Sequence, residues 1–148
     1  MVENMKNNLR MVYLITGKAG AGKTHYAEAL AAELELEGRS VVMLDGDVLR
    51  EKRKNNDYTD KGRILNLMDA AEMAAEFEAE GKIVICAFVS PKREWRDAMR
   101  EYWRMSIVVY IPGGSLWSGT KYERPGDGEL ILHALYKEKE GRTKWQQE

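Results

Sequence analysis

Cysteine is almost absent from this chain: Cys86 stands alone among 148 residues, so no intramolecular disulfide can staple the fold. Histidine is nearly as scarce, and one cysteine with two histidines offers no recognisable metal-ligand spacing. Cys86 lies inside the apolar run Ile83-Val-Ile-Cys-Ala-Phe88 and reads as a small core residue. Neither sign of charge dominates. The 23 basic and 24 acidic side chains leave a formal net charge of −1, so nothing global demands a nucleic acid or a membrane as partner. Long hydrophobic runs are missing too, and residues 1–10 hold no apolar stretch of signal or membrane length, which sets the expectation of a cytoplasmic protein with no membrane partner. There is no internal repeat and no low-complexity tract.

What is present fits one domain with a real core, since 148 residues are too few for two of ordinary size. That domain is expected to span 1–148, with 1–9 a flexible N-terminus and 137–148 a charged, solvated tail. Met11-Val-Tyr-Leu-Ile-Thr16 reads as a strand, and the segment after it places Ala27, Leu30, Ala31 and Leu34 on one helical face, with Gly38 as its stop. Ser40-Val-Val-Met-Leu-Asp45 reads as a second strand. A helix follows over about 59–80, with Ile64, Leu67, Met68, Ala71, Ala75 and Glu78 at helical spacing and Gly81 behind it. Residues 82–88 form a third strand, after which Ser90 and Pro91 supply a capping side chain and a first-position proline for a helix burying Trp95, Ala98, Met99 and Tyr102. A fourth strand is Ile107-Val-Val-Tyr-Ile111. Residues 115–128 read as an irregular connection, while Glu129-Leu-Ile-Leu-His-Ala-Leu135 fits a strand or a helix, the strand being preferred. Strands alternating with helices predict an α/β, three-layer fold around a mostly parallel sheet of four or five strands, and the glycine-rich Gly17-Lys-Ala-Gly-Ala-Gly-Lys-Thr24 after the first strand makes it a P-loop NTPase-type one.

The most informative stretch is Gly17-Lys-Ala-Gly-Ala-Gly-Lys-Thr24, a G-x-x-x-x-G-K-T pattern between the first strand and the first helix. Glycines at such a turn let backbone N–H groups wrap phosphate oxygens, and the helix N-terminus adds its dipole. Gly17, Gly20, Ala21, Gly22, Lys23, Thr24 and His25 are therefore the candidate residues for ATP, with Lys23 reaching the β- and γ-phosphates and Thr24 offering a hydroxyl to Mg²⁺. The second strand then delivers Asp45-Gly-Asp47 and, three residues on, Arg50. Carboxylates at a strand C-terminus point into the ligand crevice of an open α/β sheet. Asp47 is the candidate base for an attacking hydroxyl, and Asp45, Asp47 and Thr24 are the candidate metal-holding residues. The third strand ends without a carboxylate, in Ala87-Phe-Val-Ser-Pro91, which throws that role on Asp45 and Asp47.

Three motifs in order, the phosphate loop, D-G-D-x-x-R and Phe88-Val-Ser-Pro-Lys-Arg-Glu-Trp-Arg96, resemble adenylylsulfate kinase (APS kinase) over about residues 11–111. The resemblance implies transfer of the γ-phosphoryl group of Mg-ATP to a hydroxyl of a nucleotide-like acceptor. Lys23 and Asp47 are then the catalytic candidates, and Arg50, Asn66, Ser90 and Arg93 the acceptor-binding ones. Guanidinium groups suit phosphate or sulfate oxygens on physical grounds as well. Arg93, Arg96 and Arg100 share one side of their helix, opposite Trp95 and Met99.

Two departures stand out. The family's D-R-x-E-N-I-R-R element is matched by Asp60-Lys-Gly-Arg-Ile-Leu-Asn66, which retains little beyond Asp60, and its D-P-K-G-L-Y-type lid is replaced by a short passage from Ile111-Pro-Gly-Gly114 to residues 117–125. A shortened lid leaves an opening for a polymeric acceptor. The basic run Arg50-Glu-Lys-Arg-Lys-Asn-Asn56 then suggests an alternative, a kinase acting on a hydroxymethylpyrimidine base, such as 5-hydroxymethyluracil, in DNA. A nucleotide-binding module without catalysis is the second alternative. A regulatory GTPase is excluded by the lack of an N-K-x-D guanine-reading sequence.

Overall fold

The computed structural model describes residues 11–116, 121–126 and 129–131. Five strands form one parallel sheet: β1 (Val12–Thr16), β2 (Val41–Asp45), β3 (Ile83–Phe88), β4 (Ser106–Tyr110) and β5 (Glu129–Ile131), in spatial order β2-β3-β1-β4-β5. Among the described residues four helices link β1 through β4: α1 (Lys23–Leu36), α2 (Gly46–Arg53), α3 (Asp60–Ala79) and α4 (Arg93–Arg100). All six residues of β3 are buried, as a continuous apolar run flanked on both sides and covered on both faces must be. The two cores confirm the three layers. Val12, Leu14, Val84, Cys86 and Val108 meet Ala70, Ala71 and Ala74 of α3 on one face of the sheet, while Ile15, Ile83, Ile85 and Val109 meet Ala27, Ala31 and Leu34 of α1 on the other. The expected fold class stands, with every strand pairing parallel.

β1 lies between β3 and β4, so the chain leaves it toward one side of the sheet and returns to the other. Such a reversal opens a crevice beyond the strand C-termini. The phosphate loop fills that position.

Several local expectations change. A helix, α2, starts immediately after β2, because the Asp45 carboxylate caps it by accepting from the backbone N–H of Asp47 (2.9 Å) and Val48 (3.4 Å). The buried face of α3 carries Gly62, Asn66, Leu67, Ala70, Ala71, Ala74 and Glu78, whereas Ile64 is exposed. The helix after β3 begins at Arg93, with Lys92 as N-cap and no side-chain cap, so Ser90 and Pro91 do not serve as cap and first residue. Their carbonyls are otherwise engaged, Ser90 O accepting from Arg96 Nη1 (2.9 Å) and Pro91 O from Glu123 N (2.7 Å). Because α4 ends at Arg100, Tyr102 falls beyond it and is exposed, while Arg96, expected beside Arg93 and Arg100 on a polar face, is fully buried. Residues 129–131 pair with β4, in keeping with the strand reading; 132–135, like the proposed flexible 1–9 and solvated 137–148, lie outside the described residues. No described helix is long and apolar enough to cross a membrane.

Candidate active site

Two cavities adjoin at the C-terminal edge of the sheet. The first is a cleft of about 420 Å³ lined by Ala19, Gly20, Gly22, Lys23, Thr24 and His25 of the phosphate loop and α1, and by Asp45, Gly46, Asp47, Ala87, Phe88 and Val89 across from them. Gly17 and Ala21 shape the loop without lining it. A Cβ on Gly17 would sit 2.6 Å from the Ile111 carbonyl oxygen, so only glycine lets the chain turn under β4 there. Gly22, at φ 101°, is the left-handed residue that opens α1.

Lys23 Nζ donates to the Lys18 carbonyl across the loop at 2.9 Å, holding the ammonium over the turn. Burial pushes its pKa below the ordinary lysine value, while the nearby Asp47 and Asp45 carboxylates pull it back up. Thr24 Oγ1 donates to Asp45 Oδ2 at 3.1 Å. The Asp45 carboxylate thus has one oxygen on the α2 N-terminus and the other on the phosphate-loop threonine. A hydroxyl and a carboxylate side by side at the phosphate loop are the kind of oxygen donors Mg²⁺ takes, so Thr24 and Asp45 are the residues that would hold such an ion. Among the described residues no group of three or more His, Cys, Asp or Glu side chains is set to hold a metal without such help.

The second cavity, of about 110 Å³, is lined by Gly46, Asp47, Arg50, Tyr58, Arg63, Asn66, Leu67, Phe88, Val89, Ser90, Pro91 and Trp95. Asp47 belongs to both cavities. So do Gly46 and Phe88, and they explain the glycine between the two aspartates: a Cβ on Gly46 would lie 2.9 Å from the Phe88 ring. Arg50 is held in place by the loop beyond α2, donating to the carbonyls of Asn55 and Asp57, both at 3.2 Å, and lying 4.6 Å from the centre of the Tyr58 ring. That loop is itself fixed through Asp57, whose carboxylate accepts from the Thr59 hydroxyl and N–H and is held below the usual carboxylate range by them.

Arg63 and Asn66, three apart on α3, both reach the second cavity. Burial lowers the Arg63 pKa, and repulsion from the Arg50 guanidinium adds to the effect. Asn66 is 4% exposed, and its Oδ1 has no hydrogen-bond partner among the described residues. Buried amide oxygens are rarely left so. Ser90, buried with a φ of 34°, contributes to the cavity wall and turns its hydroxyl toward Met99 Sδ at 3.8 Å.

The structure therefore brings together Lys23, Thr24, His25, Asp45, Asp47, Arg50, Asn66 and Ser90. It sets Arg93 apart. That residue opens α4 two positions later than expected, lines neither cavity, and engages Glu123 through its backbone N–H at 2.8 Å. Arg63 escaped the sequence reading, although the signal was there: Arg63-Ile-Leu-Asn66 preserves the arginine and asparagine of D-R-x-E-N at their spacing.

The parallel sheet, the glycine-rich loop at its reversal point and the capped carboxylate beside it define a P-loop nucleotide-binding protein. Its kinship is narrower than that class. A family model for adenylylsulphate kinase matches residues 10–113, and the chain belongs to that family. The adenylyl-sulfate kinase of Bacillus velezensis is 43% identical over 88 residues, 59% of this chain and 45% of the relative. Cytidine diphosphoramidate kinase of Campylobacter jejuni is 36% identical over 107 residues, 72% of this chain and 62% of the relative. A crystallised mutant of the Mycobacterium tuberculosis APS kinase superposes with a TM-score of 0.71 at 26% identity, covering 83% of this chain and 85% of that one. The chain spans about half the length of the first of these relatives.

Proposed function

We propose that this protein is an ATP-dependent kinase that transfers the γ-phosphoryl group to a hydroxyl of a nucleotide-like acceptor, with adenylylsulfate as the preferred acceptor. The observation that carries the reading is the position of Asp47, the carboxylate shared by a phosphate-loop cleft and a cavity lined by two guanidinium groups. An acceptor anion between Arg50 and Arg63 relieves their mutual repulsion, and a donor group on the acceptor satisfies Asn66 Oδ1. Its hydroxyl then faces Asp47.

In the transfer itself, the acceptor oxygen attacks the γ-phosphorus, the bond from that phosphorus to the β–γ bridging oxygen breaks, and ADP leaves. Asp47 takes the hydroxyl proton. Lys23 and the loop N–H groups meet the charge on the phosphate oxygens, in line with phosphoryl transfer elsewhere, where positioning and electrostatics supply most of the catalysis. Mg²⁺ held by Thr24 and Asp45 would add neutralisation of the β- and γ-oxygens.

The DNA reading draws less support. Two members of its basic run are already engaged within the protein, Arg50 by the Asn55 and Asp57 carbonyls and the exposed Arg53 by an ion pair with Asp69, and the acceptor cavity is narrow. Labelled γ-phosphate transfer, run in parallel on adenylylsulfate, cytidine diphosphoramidate and hydroxymethylpyrimidine DNA, tests the proposal. Transfer to adenylylsulfate with little dependence on salt is expected. Labelling of DNA alone, steeply suppressed by salt, overturns the small-acceptor reading. No transfer to any of the three leaves the non-catalytic module as the better account.

A further inference from the structure

Arg96 is the largest fully buried side chain among the described residues, yet it lines neither cavity. It rises from α4 to donate through Nη1 to the Ser90 carbonyl and through Nη2 to the Glu123 carbonyl, both at 2.9 Å, while its guanidinium lies 5.2 Å from the centre of the Tyr122 ring. A buried guanidinium is costly to desolvate, and it is retained where several acceptors must be held at once. Here the acceptors belong to separate segments. One is the turn at Ser90, whose left-handed backbone needs such support; the other is the stretch 121–126, far along the chain.

The two segments are joined further. Glu123 N donates to the Pro91 carbonyl at 2.7 Å, and Glu123 Oε1 accepts from Arg93 N at 2.8 Å. Tyr122 stacks on Tyr110, and its hydroxyl is 2.6 Å from Thr16 Oγ1, which in turn donates to the Val89 carbonyl. A threonine hydroxyl has one proton, already directed at Val89, so Tyr122 is the donor to Thr16. Thr16 is the last residue before the phosphate loop. Val89, Ser90 and Pro91 are the wall of the second cavity.

We propose that Arg96, with Tyr122, is a positioning device that locks segment 121–126 to the acceptor-cavity wall, so that the chain beyond β4 sets how tightly the acceptor is held. The effect on the acceptor rests on the kinase reading above; the mechanical coupling does not. Each part therefore has its own measurement. Hydrogen exchange on the protein without ligands reads the coupling in Arg96→Lys, which keeps the charge but cannot span two carbonyls, and in Tyr122→Phe, which keeps the ring and removes the hydroxyl that bonds Thr16. Amides of 89–93 and of 121–126 are expected to lose protection together in both variants, with 17–24 unaffected. Loss confined to one of the segments overturns the coupling.

In transfer assays with adenylylsulfate, Arg96→Lys is expected to raise the acceptor KM about tenfold or more, and Tyr122→Phe by a smaller factor, while the KM for ATP stays within about twofold. A variant that melts at lower temperature but keeps the wild-type acceptor KM assigns Arg96 a merely structural role and overturns the positioning claim. A wild-type protein that transfers nothing to adenylylsulfate defeats this claim along with that acceptor, and the exchange result still decides whether the two segments move together.

Discussion

Replacing Asp45 separates two jobs held by one carboxylate. Oδ1 caps α2 through Asp47 N and Val48 N, and Oδ2 accepts from Thr24. Asp45→Ala removes both. A lost N-cap costs about 0.5–2 kcal/mol and the hydrogen bond to Thr24 about 0.5–1.5 kcal/mol, so a loss of roughly 1–3 kcal/mol is expected. In a domain of this size that lowers Tm by about 3–10 °C. Asp45→Asn keeps an oxygen for the cap, since asparagine is as good an N-cap as aspartate, and its stability is expected within about 1 kcal/mol of wild type. It nevertheless loses the charge and the acceptor facing Thr24. If that oxygen orients a magnesium ion, transfer falls about 10–100-fold and recovers partly as magnesium is raised. Thermal melting and labelled phosphate transfer over a magnesium titration give both answers. An asparagine variant with wild-type turnover and magnesium dependence refutes the metal role, and an alanine variant that melts with wild type refutes the cap.

Asp47→Asn leaves the α2 backbone unchanged and is expected to lower kcat on the order of a hundredfold or more with little change in ATP binding; steady-state kinetics with calorimetric ATP titration check it. Arg50→Ala and Arg63→Ala should each weaken the acceptor by an order of magnitude or more through lost charge-assisted bonds, whereas Arg93→Ala, outside both cavities, should change its KM by less than about threefold. Lys23 has a lowered pKa, so it loses its proton, and its hold on phosphate, at a lower pH than an ordinary lysine. The alkaline limb of kcat/KM for ATP should accordingly fall below the usual lysine range and move lower still in Asp45→Asn, which removes a carboxylate that raises the Lys23 pKa; a limb at the ordinary position in both proteins contradicts this.

Local chemistry determined much of this protein before any folding. The phosphate loop needs glycine at fixed offsets from a lysine and a threonine, and the apolar runs of β1 and β3 announce strands buried on both faces, so fold class and the candidate cleft at the phosphate loop were legible from residue order. Asp45-Gly-Asp47 was legible for the same reason, since a strand end beside that loop has one place to go. Tertiary structure decided what depends on contacts distant in the chain. Arg96 looks like one more arginine of a solvated helix face until Glu123, far along the chain, supplies the carbonyl that draws it inside. Ser90 looks like a helix cap until Arg96 takes its carbonyl, and Arg63 joins the second cavity because the face of α3 toward the sheet is chosen by small alanines rather than by Ile64. Periodicity places residues on a helix face, but which face is buried, and which polar groups go in with it, depends on the partners that close over it.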